Sequence, residues 1–327
     1  MNLKTKSLMQ HLPQPRVKQT VEFNAVNGSD AESLAAAELI LATRAEISWG
    51  SREEDGRKID LILSCDHPWH QNERMIILSQ VKSGSTYGEA LIKGFKLKKP
   101  AFTSAQRTTH SILMVWVDRD NNKSYWSYIH PNSKSSANIY GSYHEISPAT
   151  YFDLARCISR QINRPVGGKG VIIRKRTSDF RIRRSNVNNF YKDKKTAFCT
   201  VLGEIELTRL GWRHMFRKAR ASSHKEASLD AIPYIDKILA QNPTEHAITD
   251  IKFLEKENYK YRQTEHLLKY SQVELSSVDR GTKIKTTVII RVLEEIRYPS
   301  DWKVTAMLSQ KIERRCVLKT IYHKTHS

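Results

Sequence analysis

Two short apolar runs carry the polar residues that could do chemistry. Asp60 interrupts Lys58-IDLILS, and Gln80 and Lys82 interrupt Met75-IILSQVK. Side chains alternate across a strand, so Gln80 and Lys82 share one face and Val81 points into the core. Asp60 is likewise flanked by Ile59 and Leu61. Polar groups in such runs are costly to bury unpaired. A divalent cation is one explanation. Asp60 offers a carboxylate oxygen and Gln80 an amide oxygen, both hard donors of the kind Mg²⁺ accepts alongside several waters. Lys82 could hold or deprotonate an attacking water, or stabilise developing charge. That set suits hydrolysis of a phosphodiester, where a metal polarises the phosphate and activates water. Glu38 could add a second carboxylate from a preceding helix.

Simpler structural readings stand beside this one. Asp60 could pair with Arg57, Gln80 and Lys82 could form an exposed strand face, and Glu38 could be a solvated helix residue. Glu53, Glu54 and Asp55 fall in a turn. His67 and His70 flank Pro68-Trp69 in a loop, with no third metal ligand evident.

The order of these residues resembles the PD-(D/E)XK restriction-endonuclease superfamily. An acidic residue on the first helix, Asp60 on a strand, and Gln80-Val81-Lys82 on the next strand are similar to its Mrr-like Asp…Gln-X-Lys variant. A buried strand followed by YWSYI also resembles uncharacterised nuclease-like domains of microbial defence proteins. The resemblance covers roughly residues 25–160. It implies metal binding (Mg²⁺ or Mn²⁺) by Asp60, Gln80 and Glu38, a catalytic Lys82, DNA as substrate, and a role in defence against foreign DNA. It leaves room for pairing of copies and for a partner ATPase or sensor protein. Ile59 stands where the proline that names the motif would be, and Gln80 replaces the commoner acid. A catalytically inactive, nucleic-acid-holding site is therefore the alternative.

The surrounding elements read as follows. Pro13 and Pro15 oppose a helix, so residues 1–28 read as an irregular arm. Ser29 or Asp30 could cap the helix AESLAAAELILATRAE. Two strands follow, then a small hairpin in TYGEALIKGFKLKKP and a short helix in AFTSAQRTTH. Next comes the strand ILMVWVD, paired across DRDNN with KSYWSYI, and a helix over 150–163. Residues 29–163 thus read as an α/β domain: a mixed sheet flanked by helices. The Arg-Pro and Gly167-Gly168 break gives a boundary.

The chain of 327 residues has a formal charge of +20, distributed unevenly. Residues 1–160 hold 20 Lys+Arg against 16 Asp+Glu, and residues 161–327 hold 34 against 18. Such an excess points to a polyanionic partner, DNA first and RNA as the variant. Residues 164–195 read as a basic linker or arm. Residues 196–327 read as a basic α+β domain, helices followed by an antiparallel meander. Arg174, Lys175, Arg176, Arg181, Arg183 and Arg184 are candidate phosphate contacts. Arg213, Arg217 and Arg220 follow helical spacing and could form one basic stripe. Arg213 and His214 also carry a second catalytic alternative, a metal-independent, toxin-like ribonuclease in this half. The four scattered cysteines, with no CxxC, argue against a disulfide framework and a zinc ribbon. With no apolar leader and no long apolar run, the sequence predicts a cytoplasmic protein without a membrane partner.

Overall fold

The computed structural model describes residues 21–50, 59–131, 138–161, 170–175, 178–277 and 283–325, with side chains described from residue 28 onward. The chain is mixed α/β throughout. Its first half runs α1 (Val21–Thr43), β1 (Glu46–Trp49), β2 (Leu61–Asp66), β3 (Arg74–Ser83), β4 (Gly88–Leu91), β5 (Gly94–Leu97), α2 (Lys99–Gln106), β6 (Ile112–Asp118), β7 (Lys123–Ile129), β8 (Ile139–Tyr140) and α3 (Thr150–Gln161). The main sheet has the order β1-β2-β3-β6-β7. β3 and β6 are parallel, joined by a crossover that contains α2, and the other neighbours are antiparallel. A small sheet, β4-β5-β8, lies beside it.

Alternation along β3 sorts the core into two layers. Ile77 and Val81 face α1 and α3, among Ala35, Leu39 and Leu154. Leu78 faces the other way, toward Phe95, Ala101 and Met114. Gln80 and Lys82 keep the parity of Leu78. β6 is buried along its whole length because both faces are covered.

The second half runs β9 (Val171–Lys175), α4 (Phe180–Lys194), β10 (Thr196–Cys199), β11 (Gly203–Glu206), α5 (Arg209–Met215), α6 (Ser222–Ala231), α7 (Ile235–Leu239), β12 (Glu245–Lys256), β13 (Tyr259–Ser277), β14 (Lys283–Pro299) and β15 (Glu313–Thr325). β12 to β15 form the expected antiparallel meander. β11 adds to β15 in parallel, β10 pairs with β11, and β9 runs parallel to β13.

Three expectations need correcting. The first helix already includes Val21, the first described residue, rather than starting at a Ser29 or Asp30 cap, so 21–28 is helix and not arm. Gly28 sits in open space within it. The segment read as a linker contributes β9 to the sheet and the helix α4, whose Tyr191 is buried in the core. The basic stripe does not form: α5 ends at Met215 with Phe216 as its C-cap, leaving Arg217 and Arg220 beyond the helix. The Arg57 pairing, the Glu53–Asp55 turn and the Gly167-Gly168 break lie outside the described residues.

The main junction of the halves is one strand face. Along β14, Val288, Ile290 and Val292 pack beneath the C-terminal helices. Farther on, Ile296 and Tyr298 pack in the cluster of α1 and α3. Glu294 stands at the changeover, fully buried, and takes Arg156 of α3 at 2.7 Å, Arg314 of β15 at 2.7 Å and His266 of β13 at 3.1 Å. Asp153 of α3 takes both terminal nitrogens of Arg262 at 2.6 and 2.8 Å, and Arg156 at 2.7 Å. Buried charge is tolerated when it is paired and hydrogen-bonded in this way. A second tie is the loop after β2. Trp69 Nε1 donates to Thr200 O at 3.1 Å, and Gly203, at φ +67°, lets the backbone approach where a Cβ would lie 2.7 Å from Trp69 Cβ.

Candidate active site

Asp60 lies one residue before β2, where that strand and β3 part. Its backbone amide still donates to Ser79 O at 2.9 Å, and the next residue pairs Leu61 with Ser79. Beyond that point the Asp60 side chain replaces the β2 backbone. Oδ2 accepts the Val81 amide at 2.6 Å and lies 3.6 Å from Lys82 Nζ. The carboxylate is nearly enclosed, while the Lys82 side chain is 22% exposed. Lys82 thus reaches from a buried acid toward the surface. Parity puts Asp60, Gln80 and Lys82 on one face of the sheet.

Gln80 is 1% exposed, and neither Oε1 nor Nε2 has a hydrogen-bond partner among the described residues. An unpaired buried amide costs on the order of 1–3 kcal/mol per lost group. The strand itself ends at Gly84, whose φ of +79° starts the turn and whose carbonyl accepts Trp116 Nε1 at 3.0 Å. Lys82 pairs in register with Trp116 across the parallel β3–β6 ladder. The Lys82 end of β3 is thereby fixed from two sides.

Glu38 is set differently. It is 3% exposed on α1, which packs on the opposite face of the sheet. Oε1 accepts Lys303 Nζ from the turn after β14, and Oε2 has no partner among the described residues. No hydrogen bond or ion pair joins Glu38 to Asp60, Gln80 or Lys82 among the described residues. His67 and His70 are engaged in structure: His67 Nε2 meets Ser159 Oγ at 2.9 Å and His70 Nε2 meets Thr200 O at 3.0 Å.

The basic candidates divide by what holds them. Arg181 and Arg184 are exposed on α4, and with Phe180, Asn188 and Trp212 they line a shallow depression. The Arg184 guanidinium lies 5.6 Å from the Phe216 ring centre. Arg174 and Lys175 are exposed at the end of β9. Arg183 is tied to Asp230 at 2.5 Å, and Arg220 lies over the Tyr322 ring. Arg213 is exposed, and Arg176 lies outside the described residues. His214 sits among cations: burial, then Arg217, Lys319 and Arg220, push its pKa down. Arg213 and His214 are consecutive on a helix, where neighbours in sequence do not face each other.

Sequence reasoning missed the charged residues that join the halves. Their signal is polar residues at inward strand positions, His266 and Glu294, within otherwise alternating patterns. α4 also had a legible start: Asp179 accepts the Arg181 and Ile182 amides as an N-cap.

No family model, no curated protein and no solved structure matches the chain. Among the described residues, no three His, Cys, Asp or Glu side chains gather as a metal-holding group, and no helix is long and apolar enough to cross a membrane.

Proposed function

We propose that the chain is a divalent-metal-dependent nuclease that hydrolyses phosphodiester bonds of DNA at Asp60, Gln80 and Lys82. One observation carries the reading. At the parting of β2 and β3, a buried carboxylate and a lysine meet on the same strand face as an enclosed amide that has no partner among the described residues. A fold gains nothing from Gln80 unless something else takes up its oxygen or nitrogen.

The residues fit a hard cation. Asp60 and the Gln80 amide oxygen are oxygen donors, and Mg²⁺ keeps several waters, so two protein ligands suffice. Mn²⁺ would substitute. When bound, the metal supplies Lewis-acid polarisation of the phosphate and a more acidic water. The chain's own part is to hold and to move protons. The Val81 amide fixes the orientation of Asp60. Lys82 Nζ, anchored by that carboxylate and reaching outward, can orient the water and take its proton or stabilise the oxyanion. Glu38 is assigned no direct role in this arrangement, because α1 presents it to Lys303.

Exposed Arg181 and Arg184 on α4, with Phe180 and Trp212 beside them, would hold substrate through phosphates and stacked bases. The element order α1-β1-β2-β3-β4-β5-α2-β6, with β3 and β6 parallel, supports the resemblance that motivates the reading. A role in defence against foreign DNA rests on that resemblance alone.

The test is incubation of the purified protein with plasmid DNA, linear DNA and RNA in Mg²⁺, Mn²⁺ or EDTA, beside Lys82→Ala and Asp60→Asn. Metal-dependent DNA cleavage lost in both variants is expected. Cleavage that survives Asp60→Asn would overturn the site. Binding without turnover in any metal would leave the nucleic-acid-holding alternative.

A further inference from the structure

A cavity of about 320 Å³ opens between the halves, walled by β7, the turn Ser142–His144, α3 and β12. That is within the range of small-molecule sites. Its charge is unbalanced. The lining sets Arg156 against Asp153, and the network behind it adds buried Arg262 and part-buried Arg314 against Glu294. Both oxygens of each carboxylate already accept from these arginines or His266. Arg160, at the cavity rim, adds another cation with no carboxylate partner among the described residues. A bound anion would offset the excess that Arg314 and Arg160 leave.

The lining also offers a hydrogen-bond acceptor, His246. Arginines hold the Glu294 carboxyl well below the usual range, so His266 donates to it from Nε2 and its Nδ1 accepts from His246 Nε2 at 3.0 Å. That tautomer leaves His246 Nδ1 as an acceptor. A phosphate monoester near neutrality supplies anionic oxygens and, as the monoanion, a P–OH donor. A carboxylate lacks the donor.

The lining does not suit catalysis. Burial pushes the Cys157 thiol up to about 11 and the Tyr128 hydroxyl up to about 12, so neither is a ready nucleophile.

We propose that this cavity binds a phosphate monoester, the group carried by a mononucleotide or by the 5′ end of a nucleic-acid strand, with Arg156 and Arg160 as counter-charges and His246 as the hydrogen-bond acceptor. The site is separate from Asp60, Gln80 and Lys82 and does not depend on their role.

Calorimetric titration of the full chain in EDTA tests this, with adenosine 5′-monophosphate, adenosine, and a short oligonucleotide bearing either a 5′-phosphate or a 5′-hydroxyl. The monophosphate should bind at least tenfold more tightly than adenosine. Arg160→Gln, a change at an exposed position, should weaken it about tenfold, and His246→Phe should do so as well. Lys82→Ala should leave it unchanged. Preference for the phosphorylated oligonucleotide identifies a strand end as the source, and binding of the monophosphate alone identifies a free nucleotide. Absence of binding by both phosphorylated probes, no preference over the unphosphorylated ones, or affinity unchanged in Arg160→Gln would overturn the proposal.

Discussion

Asp60 Oδ2 accepts the Val81 amide at 2.6 Å while lying 3.6 Å from Lys82 Nζ, so a single carboxylate oxygen closes the strand pair and anchors the lysine beside it. The two jobs separate on mutation. Lys82→Ala removes the outward amine and leaves the strand closure intact. Cleavage rate should fall by about 10²–10⁴-fold, the range of a lost acid–base group, with the unfolding midpoint in urea nearly unchanged. Asp60→Ala should lose both activity and stability, because the Val81 amide is left without its acceptor. Parallel rate and denaturation measurements on the two variants distinguish an active site from a strand-end clasp.

Gln80 gives an opposite expectation. Its amide is enclosed and unpartnered, so Gln80→Met, which keeps the length and removes both polar atoms, should stabilise the metal-free protein by roughly 1–3 kcal/mol. The same change should abolish metal-dependent cleavage. Destabilisation by Gln80→Met in urea would mean that the amide contributes to the fold and would remove the main support for a metal at this position.

The fates of Gln80 and Glu38 separate what the sequence carried from what it did not. Strand alternation is local, so the shared face of Gln80 and Lys82 was legible, as were β6, β7 and the four-strand meander. Helix position relative to the sheet is not local. Nothing near Glu38 reveals that its partner is Lys303, or that α1 covers the face opposite Gln80. α4 was hidden by charge density: Arg181, Arg183 and Arg184 read as an arm, although Val187 and Tyr191, one turn apart, form its inward side. The Arg213–Arg220 stripe failed because helical spacing was extended past Met215, where the chain leaves the helix. Asp153, Arg156, Arg262 and Glu294 are brought together from three elements distant in sequence, and no spacing rule could have joined them.

The basic surface should separate by partner. Arg181 and Arg184 are exposed, so changing either to Gln should weaken DNA binding and reduce the slope of log affinity against log salt by about 1. Arg183 sits between them in sequence but is engaged by Asp230. Arg183→Gln should instead lower stability and have little effect on the salt slope. Fluorescence-anisotropy titrations at several salt concentrations, beside melting curves, check both. Equal salt effects from all three would mean that the Arg183–Asp230 pair opens to nucleic acid.

Acid should loosen the junction between the halves. Burial pushes His266 and His144 each down to about 4, and arginines hold the Asp153 and Glu294 carboxyls low. The sign is the same for all four. An unfolded histidine binds its proton near pH 6.5, whereas these folded ones resist until about 4, so stability present above 6.5 is lost progressively below it. Each such histidine costs up to about 1.4 kcal/mol per pH unit over that window. The two carboxylates add their loss at still lower pH, as their unfolded counterparts take up protons first. Urea unfolding at pH 7.5, 6, 5 and 4.5 should therefore show a steady fall. His266→Gln should flatten that fall while lowering stability at pH 7.5, since Glu294 would lose an ordered donor. Glu294→Ala should cost about 3–5 kcal/mol at pH 7.5, because it strands Arg156 and Arg314 in the interior. If Glu294→Ala unfolds at the wild-type midpoint, the charged network does not hold the halves together, and the shared core of Ile296, Tyr298 and Leu39 and the Trp69–Thr200 tie must do so.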